Sequence, residues 1–173
     1  MDAPHAKIPR VPDPTASRPY MPGYGVVPAD EGRGLLAWGW AEERLRASHD
    51  YWIATVGRDG RAHVTPVWGV WMDGGLWFSC SGGSRKARDL GADPRCTVAT
   101  ADPHQPVVVE GRSLLVSDPS AVGSFAEASD RKYATAYGPG FYLANACFRV
   151  VPEWAFGLDD ADFTRTPTRW VFE

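Results

Sequence analysis

Short runs of β-forming residues, separated by tight-turn signals, recur through the middle of this chain. Asp59-Gly60 lies between the runs 51–56 and 62–72, and a second Asp-Gly turn at 73–75 leads into the run 76–81. An Asp-Gly pair between two such runs is a strong hairpin signal. The three runs are therefore predicted to form an antiparallel meander, a pattern unlike the strand–helix repeats of a parallel sheet.

The rest of the chain continues the pattern, with a few helical segments between strands. The remaining predicted elements are strands at 95–101, 106–116, 146–152, 154–158 and 168–172 and helices at 34–49, 84–91 and about 119–137. Six or more mostly antiparallel strands with two to three helices predict a mainly β fold, a small closed or split β-barrel. No GxGxxG sequence follows the first strand, which argues against a parallel dinucleotide-binding fold.

The N-terminal segment has a different composition. Seven of the 15 prolines fall within the first 28 residues, and proline lacks the N–H that helices and ladders use. Residues 1–33 are therefore predicted to be an extended arm, and residues 34–173 the barrel domain. The second half of the arm carries Tyr20, Met21, Tyr24, Val26 and Val27, which are apolar enough to predict packing on the barrel.

Charge and cysteine content limit the classes of function. Eighteen basic and 21 acidic residues give a net charge of −3, which argues against general nucleic-acid binding. The three cysteines have neither the spacing of a disulfide framework nor that of a metal site, so we expect no bound metal and a reduced, cytoplasmic protein. No run approaches the roughly 18 apolar residues of a membrane span, so we expect no membrane-spanning segment.

The segment 79–88, SCSGGSRKAR, is the strongest candidate for a binding site. Two glycines leave the backbone open, and the helix that follows begins with unpaired N–H groups and a partial positive charge. Ser81 and Ser84 add hydroxyl donors, while Arg85 and Lys86 add cations that suit phosphate. These residues favour an anion site, and an ordinary solvated helix start is the alternative.

The strand at 61–71, RAHVTPVWGVW, is the second candidate. Alternation places apolar side chains on both faces, so the strand is predicted to be buried on both sides. Pro66 removes a ladder donor and Gly69 removes a side chain, which would let a ligand approach the backbone. A plain core strand explains the pattern equally well, and His63 is interpreted as a packing residue rather than a general base.

These segments together resemble the flavin- and deazaflavin-dependent split β-barrel oxidoreductases, the superfamily of pyridoxamine 5′-phosphate oxidase. The resemblance covers about residues 35–173. The matching motifs, in chain order, are YWIATV at 51–56, DGR at 59–61, HVTPVWGVW at 63–71, LWFS at 76–79, SRKARDL at 84–90, DPR at 93–95, VEG at 109–111 and TRW at 168–170.

The resemblance implies a homodimer with two cofactor sites at the interface. By position, the resemblance places five residues along the cofactor ring and its ribityl chain: Arg61, His63, Val64, Thr65 and Pro66. It places Ser79 and Cys80 beside the ring and Ser84, Arg85 and Lys86 on the phosphate. The region 105–107 and Trp170 of the partner chain are candidates for closing the site.

Two departures from the family pattern narrow the activity. Pro66 stands where the vitamin oxidases carry lysine, and Thr168-Arg169-Trp170-Val171 replaces their C-terminal Arg-Leu-His, so pyridoxamine phosphate oxidase activity is not expected. The resemblance implies coenzyme F-420, preferred, or FMN, and hydride transfer to or from an apolar unsaturated small molecule. Arg33, Arg58, Arg61 and Arg88 are candidates for the acidic tail of F-420. The alternative is a noncatalytic protein that binds or stores a flavin, a deazaflavin or haem.

Overall fold

A computed structural model describes residues 10–29, 31 and 33–173 of the chain. The first nine residues of the predicted arm, with positions 30 and 32, lie outside the described residues. The strands are β1 Thr15–Ser17, β2 Asp50–Val56, β3 Ala62–Met72, β4 Gly75–Cys80, β5 Arg95–Thr100, β6 Val107–Val116, β7 Ala146–Gly157 and β8 Thr168–Val171. The helices are α1 Trp38–Ala47, α2 Arg85–Ala92, α3 Pro119–Tyr133 and α4 Gly138–Leu143, with a short 3₁₀ turn at Asp160–Asp162.

The strands form one antiparallel sheet that closes on itself. Its order is β1-β8-β7-β4-β3-β2-β5-β6, and β6 also pairs with β7. Strands β2 to β7 therefore make a closed six-stranded barrel, while β8 and β1 extend the sheet from β7. The prediction of a mainly β barrel is confirmed, and the described residues form four helices where two to three were predicted.

β7 joins two predicted strands into one. The register between β6 and β7 shifts between Glu110 and Gly111, and Glu153 is the extra residue of β7 at this bulge. A Cβ on Gly111 would lie 2.0 Å from the Val151 carbonyl oxygen, so only glycine allows this close approach. Pro152 sits at the same irregularity, where a missing N–H is tolerated.

The barrel interior and the outside of β4 each hold an apolar cluster. Inward side chains such as Ile53, Val98 and Val109 fill the barrel. On the outside, α3 and α4 pack Phe125 and Tyr142 against Trp77. The helical segment between β6 and β7 is thus fixed to the barrel by its own buried face.

The predicted end of the third helix and the predicted burial of β3 are wrong. The helix predicted for about 119–137 ends at Tyr133, and α4 follows after a short reversal that the Asp130 side chain stabilises by accepting from Gly138 N–H and Thr135 Oγ1. β3 is not buried on both faces, because its outward side chains Val64 and Trp68 are 55% and 51% exposed. The barrel interior covers only the inward face of the strand.

The arm is held by its backbone and by one arginine. β1 pairs with β8, and the buried Arg18 guanidinium donates to the carbonyls of Pro167 at 2.8 Å, Arg33 at 2.8 Å and Arg165. Tyr20, predicted to pack on the barrel, is 92% exposed. The arm therefore docks through hydrogen bonds more than through its aromatic side chains.

Among the described residues, no helix is both long and apolar enough to cross a membrane.

Replacing Arg18 by methionine is expected to lower the free energy of unfolding by about 2–4 kcal/mol, because buried carbonyls lose charged donors. Chemical denaturation measures this change. The exposed Arg10→Met is the control and should leave stability within about 0.5 kcal/mol. An Arg18→Met protein as stable as the native one would contradict the proposed docking.

Candidate functional site

A cavity of about 340 Å³ lies between the outer surface of β3 and β4 and the helices α3 and α4. We call it the main cavity. Its lining residues are Pro66, Val67, Trp68, Ser79, Cys80, Ser81, Lys86, Phe125, Ser129, Tyr137, Phe141, Tyr142 and Asn145. One side is aromatic, and the other carries hydroxyl, thiol and ammonium groups.

The polar side is built from the end of β4 and the start of α2. Ser84 caps α2 by accepting from the Ala87 N–H at 3.3 Å, and Ser81 Oγ accepts from the Gly83 N–H at 3.3 Å. A Cβ on Gly82 would meet nothing within 4 Å, so this glycine is not required for local packing. The open backbone leaves the first N–H groups of α2 accessible to an anion.

Arg85 and Lys86 point in different directions, because consecutive helical residues are about 100° apart. Lys86 lines the main cavity. Arg85 lines a second cavity of about 570 Å³, which we call the arginine cavity. Its lining residues are Gly57, Arg58, Asp59, Arg85, Arg88, Asp89, Gly91 and Ala92. The start of α2 thus separates the two cations that the sequence assigned to one phosphate.

The candidate residues on β3 are also divided, in this case by strand alternation. Pro66 lines the main cavity, whereas His63 and Thr65 lie on the opposite, inward face. Val64 lies on the outer face with Pro66 but does not line the cavity. Arg61 is exposed at the turn, 3.7 Å from Asp59. The structure therefore brings together Pro66, Ser79, Cys80, Ser81 and Lys86, with Ser84 capping the helix beside them.

The aromatic side is fixed by the end of α3. The Tyr133 ring stacks on Trp68 with centroids 4.4 Å apart and an interplanar angle of 4°. Its hydroxyl accepts from the Gly69 N–H at 2.7 Å and donates to the His49 carbonyl at 2.6 Å. Lys132 donates to the carbonyls of Ser48 at 2.6 Å and Gly69 at 2.7 Å. These contacts set the distance between β3 and α3, and hence the shape of the cavity.

α4 completes the aromatic side. Tyr137 and Phe141 stack on each other with centroids 4.6 Å apart, and Tyr142 lies 3.0 Å from Ser129 Oγ and 3.1 Å from Asp130 Oδ1. Hydrogen bonding to Asp130, first from the Gly138 N–H, lowers the pKa of that carboxyl. The reversal between α3 and α4 is therefore held by an ionised carboxylate over a wide pH range.

The sequence missed most of this aromatic side. Phe125, Ser129, Phe141, Tyr142 and Asn145 line the cavity, and they lie outside the two candidate segments 61–71 and 79–88. Helical periodicity indicated a helix, yet it did not show which face would meet the barrel. The stacking aromatics at 133, 137 and 141 are spaced by four residues, which was the one available signal.

The two partner-chain candidates are occupied within their own chain. Trp170 is fully buried in the barrel core, so its side chain is not available to close a partner's site. Gln105 accepts from Arg44 at 2.7 Å and donates to Asp159 at 2.9 Å. In the described structure, this loop is tied to its own α1.

The described residues thus form a closed antiparallel barrel with a cavity beside a glycine-rich helix start. A model of the pyridoxamine 5′-phosphate oxidase family matches residues 40–152. That match covers more than half of the chain, so the chain belongs to this family. None of the curated proteins compared with it gives a significant match.

Solved structures have the same fold. A conserved hypothetical protein from Mycobacterium tuberculosis is 23% identical, with a TM-score of 0.66 over 72% of this chain and 86% of its own. An F-420 reductase is 25% identical, with a TM-score of 0.54 over 64% and 91%. A heme binding protein from Mycobacterium smegmatis is 17% identical, with a TM-score of 0.55 over 73% and 60%. Similar barrels therefore serve proteins of different function.

Lys132 provides a test of how α3 is fixed. Burial lowers its pKa from 10.5 to about 8, so between these values the unfolded chain binds more protons than the folded one. The contribution of Lys132 to stability therefore increases as the pH rises from about 8 to 10. Denaturation curves of native and Lys132→Met proteins should diverge over this range in favour of the native protein.

Lys86→Met is the matched control for this titration, since it removes an ammonium group that lines the main cavity and lies outside the contact between α3 and β3. The stability of the Lys86→Met protein should depend on pH as that of the native protein does. Parallel stability curves for the native and Lys132→Met proteins would show that the amine does not titrate in this range.

Proposed function

We propose that this protein is a cytoplasmic, homodimeric oxidoreductase that binds coenzyme F-420 or FMN. The main cavity carries the proposal, because it combines an aromatic side with an open, cation-bearing helix start. A flat ring fits the first feature and a phosphate the second. The three cysteines are free, which agrees with a reducing compartment.

The residues present fit such a cofactor. A volume of about 340 Å³ falls in the range of small-molecule sites. The open space above Gly82 would admit phosphate oxygens to the first N–H groups of α2. Lys86 would contribute a positive charge from within the cavity, and Ser81 a hydroxyl donor.

The chain's own groups would bind and orient rather than react. Bound F-420 or FMN supplies two-electron hydride chemistry. Trp68, Tyr137 and Phe141 would exclude water and hold an apolar unsaturated substrate against the ring. Pro66 presents no N–H and no charge toward the cavity, so it also favours an apolar substrate.

Two observations favour F-420 over FMN. The match with the F-420 reductase extends over 91% of the length of that protein. In addition, Arg58, Arg85 and Arg88 line the arginine cavity on the far side of the helix start, where an acidic extension beyond the phosphate could continue. FMN has no such extension.

A noncatalytic protein that binds a flavin, a deazaflavin or haem is the second candidate. The similarity to a heme binding protein and the aromatic lining of the main cavity support it. Binding without turnover by any electron donor or acceptor would favour this candidate.

Titration of the protein with F-420 and with FMN, followed by tryptophan fluorescence, tests the proposal. We expect F-420 to bind more tightly. Replacing Arg85 and Lys86 together by alanine should weaken binding by about 2–4 kcal/mol through lost charge-assisted bonds. Arg95→Ala, an exposed cation paired with Asp93 at 2.6 Å, is the control. Unchanged affinity in the double variant would place the phosphate elsewhere.

The dimer is proposed from the outer face of the barrel. Trp52 and Pro66 are paired on β2 and β3, and Val64 lies beside them on the same face. Trp52 and Val64 remain about half exposed. A second copy of the chain would bury this apolar surface.

Glutamate at Trp52 or Val64 is expected to convert the dimer into a monomer, because a charge would be buried in an apolar interface. Sedimentation velocity at micromolar concentration measures the mass. Tyr20→Glu, on the exposed part of the arm, should remain dimeric. A native protein that sediments as a monomer would refute the interface.

A further inference from the structure

The Asp89 side chain of α2 is a buried carboxylate with two basic side chains beside it, each at ion-pair distance but beyond hydrogen-bond distance. The Asp89 side chain is 9% exposed, and its Oδ2 is 3.0 Å from Thr55 Oγ1, which donates to it. Arg85 Nε lies 3.7 Å from the same oxygen and His63 Nδ1 lies 3.9 Å from it. A buried carboxylate is stabilised by a cation, and this arrangement holds two candidates.

His63 has an unmet hydrogen-bonding requirement in this cluster. Its Nδ1 atom is buried and has no hydrogen-bond partner among the described residues. Leaving a buried polar atom unpaired is costly. A proton on Nδ1, directed at Asp89, would satisfy both groups, and histidine is the side chain that ordinarily titrates near neutrality.

Arg85 is placed to leave the carboxylate. Its side chain is 47% exposed at the first residue of α2, next to the helix start where the phosphate is proposed. A guanidinium gains more from two hydrogen bonds to phosphate than from a carboxylate beyond hydrogen-bond distance. Its departure would leave His63 as the remaining basic side chain near Asp89.

Building on the proposed function, we propose that phosphate binding at the start of α2 draws Arg85 away from Asp89 and that His63 takes up a proton in its place. The proton comes from solvent and binds Nδ1, and no covalent bond of the ligand changes. Cofactor binding is thereby coupled to pH, with affinity rising by at most about tenfold for each unit that the pH falls.

The other charged groups around this cluster come from the β2–β3 turn and from α2. Arg61 pairs with Asp59 at 3.7 Å, Arg88 donates to the Gly83 carbonyl at 2.7 Å, and Arg58 lines the arginine cavity. Aspartate and arginine ordinarily keep their charge near neutral pH. His63 is therefore the group that can take up the proton.

Calorimetric titration with FMN at pH 7, in buffers of different ionisation enthalpy, tests the coupling. The slope of the binding enthalpy against buffer enthalpy gives the protons taken up per site. FMN has its own phosphate titration, with a pKa of about 6, so the comparison is between the native protein and His63→Gln. His104→Gln, an exposed histidine bonded to Asp160, is the matched control.

The native and His104→Gln proteins should take up more protons than His63→Gln, with a difference of up to one per site. Equal uptake in native and His63→Gln proteins would overturn the coupling while leaving the proposed function intact. Should His63→Gln fail to fold, the ring titration of His63 in the native protein, followed by NMR, replaces it. Its midpoint should rise when FMN binds, and an unchanged midpoint would overturn the proposal. Failure of both FMN and F-420 to bind would refute the proposed function and the coupling with it.

Discussion

Closure of the barrel through the ladder between β6 and β7 is the constraint on which the rest of the structure depends. β7 pairs with β6 along its whole length, while its first half pairs with β4 and its second half with β8. The bulge opposite Gly111 bends the strand between these two roles, since no larger residue fits beside Val151. One long strand therefore closes the barrel and carries the sheet to which the arm is attached.

The site lies where this barrel meets the helical segment inserted between β6 and β7. Gly69 lies beyond the last residue pair of β2 and β3, and Lys132 and Tyr133 satisfy its backbone groups instead. α3 thus continues the hydrogen bonding that β2 no longer provides. The same contacts stack Tyr133 on Trp68, so the cavity has its aromatic side because the strand ladder ends there.

Periodicity explains why the candidate residues are divided between two cavities and the core. Two-residue alternation along β3 sends His63 and Thr65 inward while Pro66 faces the main cavity. The helical turn at the start of α2 sends Lys86 to the main cavity and Arg85 to the arginine cavity. The division has a chemical result, because it places Arg85 near the buried Asp89 and the unpaired ring nitrogen of His63.

The sequence by itself determined the strands β2 to β6 and β8, the hairpin turns, the helix start at Ser84 and the barrel class, because these depend on local periodicity, on capping and on Asp-Gly turns. It also indicated the family through motifs that lie on those elements. Only the tertiary structure decided which faces meet. The exposed outer face of β3, the burial of Trp170 and the aromatic side from α3 and α4 depend on contacts between residues far apart in sequence. Such contacts depend on how the barrel closes and on where its ladder ends, and neither is encoded in a local pattern.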